Sequence, residues 1–495
     1  MAGRLAAFLP SCGAAAPVLF HFSTVVWGPW HTGIFLDVNL PSLLASGNLP
    51  AFSAQHSIKY RIFTSRRDSE RISSHPAFKK AQEYVEFELI VCAVEGTNDP
   101  IGIHHRLWRR SIFEARDAGA MILFVPPDVA WSNGAFRHVA DLVSSGKKAI
   151  FMTYMRVVSE TCAPAVQERY RANDGLTIDA SSRQLVETAF QYIHPLTLTY
   201  LRDSPNFPIH PEFILWRVPG EGYLMRVLVR EMFAYDPKAV VLNEQALPAH
   251  ELDPNSVHFI TDSDDLFALS FAPLMKDVEW FTQPQRLDPL IVGSWWLRYD
   301  SPANNLVSKD HYYIHLGDRT PALWRQIELQ SDALLARLVG AREILRVVRA
   351  ISNDRMILVR RVIAAALVQT RVAQLIHYDG PVTLVIPSGA ELTRWLFDDN
   401  GRYLTRDGAN GLAGLLLDHV IVGDMDLSAQ EDRVLMTMRG NRRQLTWQNR
   451  TPYIDNVAIQ SQPISLGQDW SYILNRRVLM SDGILPPCQE SRLPL

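Results

Sequence analysis

ILFVPPDVAWSNGAF, residues 122–136, is the stretch on which the fold turns. An apolar strand over 121–126 ends on Pro126, Pro127 and Asp128, and Trp131, Ser132 and Gly134 then open a helix over 134–145. A strand cut short by prolines and followed at once by a helical period is the signature of one βα unit. Upstream the same unit recurs. An amphipathic helix over 102–118 precedes the strand, and further strands are expected at 18–27, 58–64 and 86–94, with helices at 35–46 and 76–84 between them. Another strand follows at 149–154. Strands alternating with helices at this spacing predict an α/β domain: a mostly parallel, Rossmann-type sheet with helices on both faces. In such a sheet the ligand lies beyond the carboxyl ends of the strands, which is where Asp128 falls.

Further along, the texture changes twice. A helix at 181–193, strands at 213–218 and 224–230 and the acidic run TDSDD (261–265) are separated by loops rich in Pro and His. A helix at 321–340 is expected to close this first part. Beyond it, the reading is a helical stretch at 343–377, a strand at 381–386, helices at 389–397 and 408–416, a strand at 417–422 and alternating strands through 434–480. The expected organisation is a first domain over 1–280, a helical extension over 281–342 and a second, α+β domain over 343–490. For 495 residues, two to three domains are the normal number.

Composition narrows the function classes. A net charge of −3 gives no basic footprint for nucleic acid. Cys12, Cys92, Cys162 and Cys488 are scattered, with no CxxC pair, so neither a cysteine zinc site nor a disulfide framework is read. A reducing, cytoplasmic setting follows from that usage. The start of the chain, broken by Pro10, Ser11 and Gly13, is not read as a signal peptide, and no run of 18 apolar residues predicts an integral membrane segment. A P-loop and a G-x-S-x-G elbow are both missing, which disfavours ATPase, kinase and α/β-hydrolase chemistry.

Several residues carry candidate chemistry. Asp128, at a strand's carboxyl end, is suited to a hard divalent cation, Mn or Mg, and equally to capping a turn. Glu221 stands between Gly220 and Gly222 in PGEGYLMR, where small residues let a substrate come close. Asp262, Asp264 and Asp265 share one loop; crowded carboxylates favour a cation or a raised pKa, whereas Ser263 and Asp264 also read as a helix start. Glu221 and Asp264 are the candidate catalytic bases. His315 in YYIHLGD stands at a strand end beside aromatics, the setting of a packed, hydrogen-bonded histidine. Trp295 and Trp296 could stack on a sugar ring or fill a core.

Residues 18–160 resemble the nucleotide-binding half of GT-A glycosyltransferases. FHFSTVVWG (20–28) matches that family's first strand and base-binding loop, and YRIFTSRRD (60–68) its second strand. The resemblance implies that Thr24, Trp27, Thr64, Asp68 and Asp128 contact the donor. It also implies a divalent metal held by Asp128 and His315. The family's Asp-x-Asp signature is Pro126-Pro127-Asp128 here, so only its last acid is kept.

Residues 343–482 resemble a fasciclin-like domain. PVTLVIPSGAELTRWLF (381–397), LLLDHVIVGDMDL (415–427) and DWSYILNRRVLMSDGILPP (469–487) match its blocks in order, with Asp418 in place of the usual Tyr before His419. Together the two resemblances imply an enzyme that moves a sugar from a nucleotide-sugar donor to a glycan, protein or small-molecule acceptor, with a protein partner recruited through the second domain. The alternative is a non-catalytic scaffold whose transferase domain is degenerate.

Overall fold

A computed structural model describes residues 17–94, 96–229, 232–238, 253–275, 284–297, 308–350, 381–387, 418–423, 425–459, 464–467 and 470–475. The chain divides into two compact units. The first comprises Met1–Leu287 and Tyr299–Leu329, the second Asp288–Arg298 and Gln330–Leu495. The segment expected as an extension, 281–342, is thus shared between them.

In the first unit the strands are β1 (Leu19–Val25), β2 (Ser57–Thr64), β3 (Glu86–Val91), β4 (Met121–Phe124), β5 (Val129–Trp131), β6 (Ala149–Phe151), β7 (Met155–Val158), β8 (Phe213–Val218), β9 (Gly222–Val227), β10 (Met232–Tyr235), β11 (Val257–Phe259), β12 (Ala268–Ala272) and β13 (Tyr312–His315). Seven of them form the main sheet, in the order β11-β6-β10-β4-β1-β2-β3. β1 is parallel to β2 and β4, β2 to β3, and β11 to β6; β10 runs antiparallel between β4 and β6. The sheet is therefore mostly parallel. β10 was not expected, because four residues carry too little pattern to announce a strand.

Both faces of the central strands are buried, as parallel strands between helices require. Phe20, Phe22, Met121, Leu123 and Ile150 point into one core with Leu43, Phe52, Phe136 and Val139 of the helices on that face. The alternate residues Ile122, Phe124, Ala149 and Phe151 point into the other, with Ile112 and Ala115 of helix Pro100–Ala118. That helix starts on Asp99, whose carboxylate accepts the Gly102 N–H, and stops at Gly119 with φ 67°, a left-handed position that costs glycine nothing. The helical stretch expected at 35–46 contains a π turn, Phe35–Asn39, ahead of Leu40–Leu43. The π turn carries Asn39, whose Nδ2 donates to the carbonyls of Pro126 and Val129 at 2.9 and 2.7 Å and so clamps both sides of Asp128.

Two small sheets complete the first unit, β5-β12-β7 and β13-β9-β8. The second unit holds helix Pro289–Trp296, the later part of helix Pro321–Ala350, and one eight-stranded sheet. Its strands are β14 (Val382–Pro387), β15 (Val420–Val422), β16 (Arg433–Thr437), β17 (Arg442–Gln448), β18 (Thr451–Ile454), β19 (Val457–Ala458), β20 (Ile464–Gly467) and β21 (Trp470–Asn475). All neighbours are antiparallel except β14 and β21. The helices expected at 389–397 and 408–416, and most of that at 343–377, lie outside the described residues. Among the described residues no helix is long and apolar enough to cross a membrane.

Candidate functional site: an Asp–Asp–His cluster at the carboxyl edge of the sheet

β11 ends at Phe259, and three residues later the chain reaches Asp262, so TDSDD lies at the carboxyl end of a parallel strand. No helix of the kind its caps suggested follows; Leu266 leads directly to β12. β13 runs beside this segment instead. The Tyr313 N–H donates to Thr261 O at 2.8 Å, and the Ser263 N–H to Tyr313 O at 2.9 Å. This pairing carries His315 to Asp262, with Nε2 to Oδ1 at 2.8 Å. On its other side β13 pairs with β9, setting His315 opposite Gly222. A Cβ on Gly222 would collide with the Ile314 carbonyl oxygen, so this glycine admits a strand rather than a substrate.

Asp262, Asp264 and His315 each offer a ligand atom, all within 4.8 Å of one another, and the triad could hold a metal ion. Its chemistry fits: two carboxylates and an imidazole suit a divalent cation. His315 Nδ1 contacts the Gly317 carbonyl, which leaves Nε2 turned to the carboxylates, the outer-shell arrangement common to metal-binding histidines. Guanidiniums stand close by. Arg183 Nε and Nη2 reach Asp264 at 3.0 and 2.8 Å, Arg183 also meets Asp318 at 3.2 Å, and Arg319 meets Asp262 at 3.3 Å while lying over the Tyr313 ring. The charges respond to one another. His315 is held above the usual histidine range, first by its bond to Asp262. Burial works to raise Asp262, but the bonds from His315 and the Asp264 N–H, with the Arg319 charge, bring it below the ordinary carboxylate value.

Glu221 adjoins the cluster but is spoken for. Its Oε2 accepts the Thr320 N–H at 2.9 Å and the Trp324 indole N–H at 2.6 Å, and these bonds, Thr320's first, lower its pKa. A carboxylate stabilised in this way is a weak base. Glu221 reads as a positioning residue for the turn after His315, in place of the expected catalytic base.

The remaining expected residues are distributed as follows. Asp128 occupies the β4–β5 turn at the carboxyl edge, as anticipated, half-buried, with its carbonyl accepting the Phe271 N–H; it is not a member of the metal-capable triad. Thr24 is fully buried, donating to Val125 O and bonded to Tyr60 Oη, and so ties strands together beneath the edge. Thr64, the last residue of β2, is also buried. Asp68 Oδ2 accepts the Gly28 N–H and the Ser65 hydroxyl, joining the loops after β1 and β2, and Trp27 is half-buried in the first of those loops. Trp296 belongs to the second unit and is fully buried beneath the Arg342 guanidinium, so it is core rather than a stacking wall; Trp295, on the same helix, is half-buried. Arg183, Arg319 and Asn39 were not anticipated, since nothing in their local sequence marks the partners they meet. The chain matches no protein-family model and no curated protein sequence.

Proposed function

We propose that the chain is a glycosyltransferase of GT-A type that uses a nucleotide-sugar donor. The observation that carries this reading is the position of the triad Asp262, Asp264 and His315. It lies on the same carboxyl edge of the sheet as the loops after β1 and β4, where the strand order reverses and α/β sheets bind their ligands. Three strand spacings separate β11 from β4, a distance of about 14 Å. A donor with its diphosphate at the triad would extend along that edge toward β4, bringing its nucleoside to the Asp128 turn.

In the reaction the bond between the anomeric carbon and the diphosphate oxygen breaks. The acceptor oxygen bonds to that carbon, and the acceptor proton passes to a carboxylate, for which Asp265, exposed in the same loop and outside the triad, is the candidate. A bound Mn or Mg ion would neutralise the departing diphosphate. Asp262, Asp264 and His315 would hold that ion, and Arg183 and Arg319 add fixed positive charge beside it. This reading moves Asp264 from base to ligand and keeps Asp128 as a contact to the donor.

A second reading has an observation in its favour. Arg183, Arg319 and His315 already neutralise the carboxylates, so the cluster is stable without a cation, as in a scaffold protein whose fasciclin-like second unit recruits a protein partner. A thermal-shift panel of nucleoside diphosphates with and without Mn²⁺ separates the two, because a ligand of the native state raises its melting temperature. The transferase reading expects a metal-dependent shift that Asp262→Asn abolishes and Asp128→Ala reduces. A panel with no shift leaves the scaffold reading.

A further inference from the structure

β3 is the last strand of the main sheet, with β2 on its inner side. The Cys92 N–H donates to Thr64 O of β2 at 2.8 Å, so Cys92 and, by alternation along the strand, Ile90 and Glu88 turn their peptide groups inward. Phe87, Leu89 and Val91 therefore turn theirs outward, and among the described residues no backbone group pairs with them. Edge strands are usually guarded by charged side chains, lysine above all, by proline or by a bulge. Glu86–Val91 has no lysine or proline, its ladder with β2 runs without a register shift, its charges are Glu86 at the strand start and Glu88, and Val91 is 48% exposed. Glu88, the acid in its middle, is already paired with Lys59 and Arg61 of β2, both at 3.1 Å.

We propose that β3 pairs antiparallel with β3 of a second copy of this chain about a two-fold axis at Leu89, making one continuous sheet across a homodimer. The register is chosen by charge and by hydrogen bonding. An axis at Glu88 would set that acid against itself. With the axis at Leu89, Glu88 faces Ile90, Glu86 faces Cys92, Phe87 faces Val91 and Leu89 faces its own counterpart. The outward groups of Phe87, Leu89 and Val91 then all find partners, about six hydrogen bonds in an antiparallel ladder. An axis at Ile90 would leave the outward groups of Phe87 beyond the facing strand's end. The pairing is isologous, as closed dimers require.

Sedimentation velocity of the full chain over a concentration series tests this, with a dimer expected that dissociates on dilution. Val91→Pro removes an outward N–H and leaves the β2 ladder whole, so it is expected to sediment as a monomer with unchanged circular dichroism, and with a melting temperature that no longer rises with protein concentration. In a Cys92→Ser background, Leu89→Cys is expected to cross-link as a disulfide dimer on mild oxidation, because directly opposed residues have the Cα separation a disulfide needs. Ile90→Cys, offset from its counterpart, is not. A wild-type chain that stays monomeric at the highest concentration overturns the proposal. So does a dimer that Val91→Pro leaves intact, and so does cross-linking through Ile90→Cys in place of Leu89→Cys.

Discussion

Single residues decide whether the carboxyl edge can act. Gly222 is the clearest case. It was singled out as a neighbour of Glu221, and its role is to let β13 lie close enough for His315 to reach Asp262. Gly222→Ala is expected to cost about 2 kcal/mol, as forced overpacking does. At the proposed metal site it should also weaken Mn²⁺ binding by displacing His315; urea unfolding reads the first effect and calorimetric titration the second. In the second unit Asp418 is fully buried and accepts from Thr437, Arg439 and Asn441, with Arg443 at 3.8 Å. The sequence marked this position as a departure from Tyr. The structure makes it the centre of a polar network beside β15. Asp418→Ala would take the shared acceptor from Thr437, Arg439 and Asn441, while Arg443 keeps Asp455 at 2.8 Å, and a loss of about 3 kcal/mol is expected in the urea unfolding of that unit, as for a broken buried network.

At the scale of elements, what could be read was what carries its own punctuation. Helix Ser182–Gln191 was expected at 181–193; it opens on a capping box in which Ser181 and Gln184 each bond the other's backbone. Ser181→Ala is expected to cost about 1 kcal/mol, measured as a drop in the denaturant midpoint without a change in slope. The same helix presents Arg183 to Asp264, so a Mn²⁺ titration of this variant checks whether fraying of the helix start reaches the triad. Elements without local punctuation were missed. β10 has four residues and exists because β4 and β6 leave a gap it fills. The π turn at Phe35–Asn39 is set by the bonds Asn39 makes 87 and 90 residues away, which no local pattern announces.

For the whole molecule, acid is the informative perturbation. His21, His75, His104 and His258 all titrate below the free histidine value of 6.5, in each case chiefly because burial disfavours the charged ring, and His104 is pushed down to about 4. Below pH 6.5 the unfolded chain takes up protons that the native chain refuses. Stability therefore falls as pH drops from 6.5 toward 4 and rises in the reverse direction. His315 acts in the opposite sense, since its raised pKa favours the folded state at low pH and that contribution fades as pH rises through its titration. For His104 alone the loss between pH 7 and 5 is on the order of 1 kcal/mol after allowance for its partial exposure. Urea unfolding at the two pH values measures the change, and His104→Phe, neutral throughout, is expected to flatten it.

Local periodicity by itself determined the α/β class and the parallel core of the main sheet; local motifs marked Asp128, Glu221 and Asp264, and a family resemblance His315, as residues worth watching. Alternation, prolines and caps act over a few neighbouring residues and leave their mark in order along the chain. Tertiary structure alone decided which of those residues meet. β13 crosses 53 residues of sequence to join His315 to Asp262, Trp324 claims Glu221, and Trp296 sinks into a different unit from the cluster it was expected to serve. The physical reason is that hydrogen bonds and ion pairs act over a few ångströms of space, and distance in space is settled by packing that no single segment encodes.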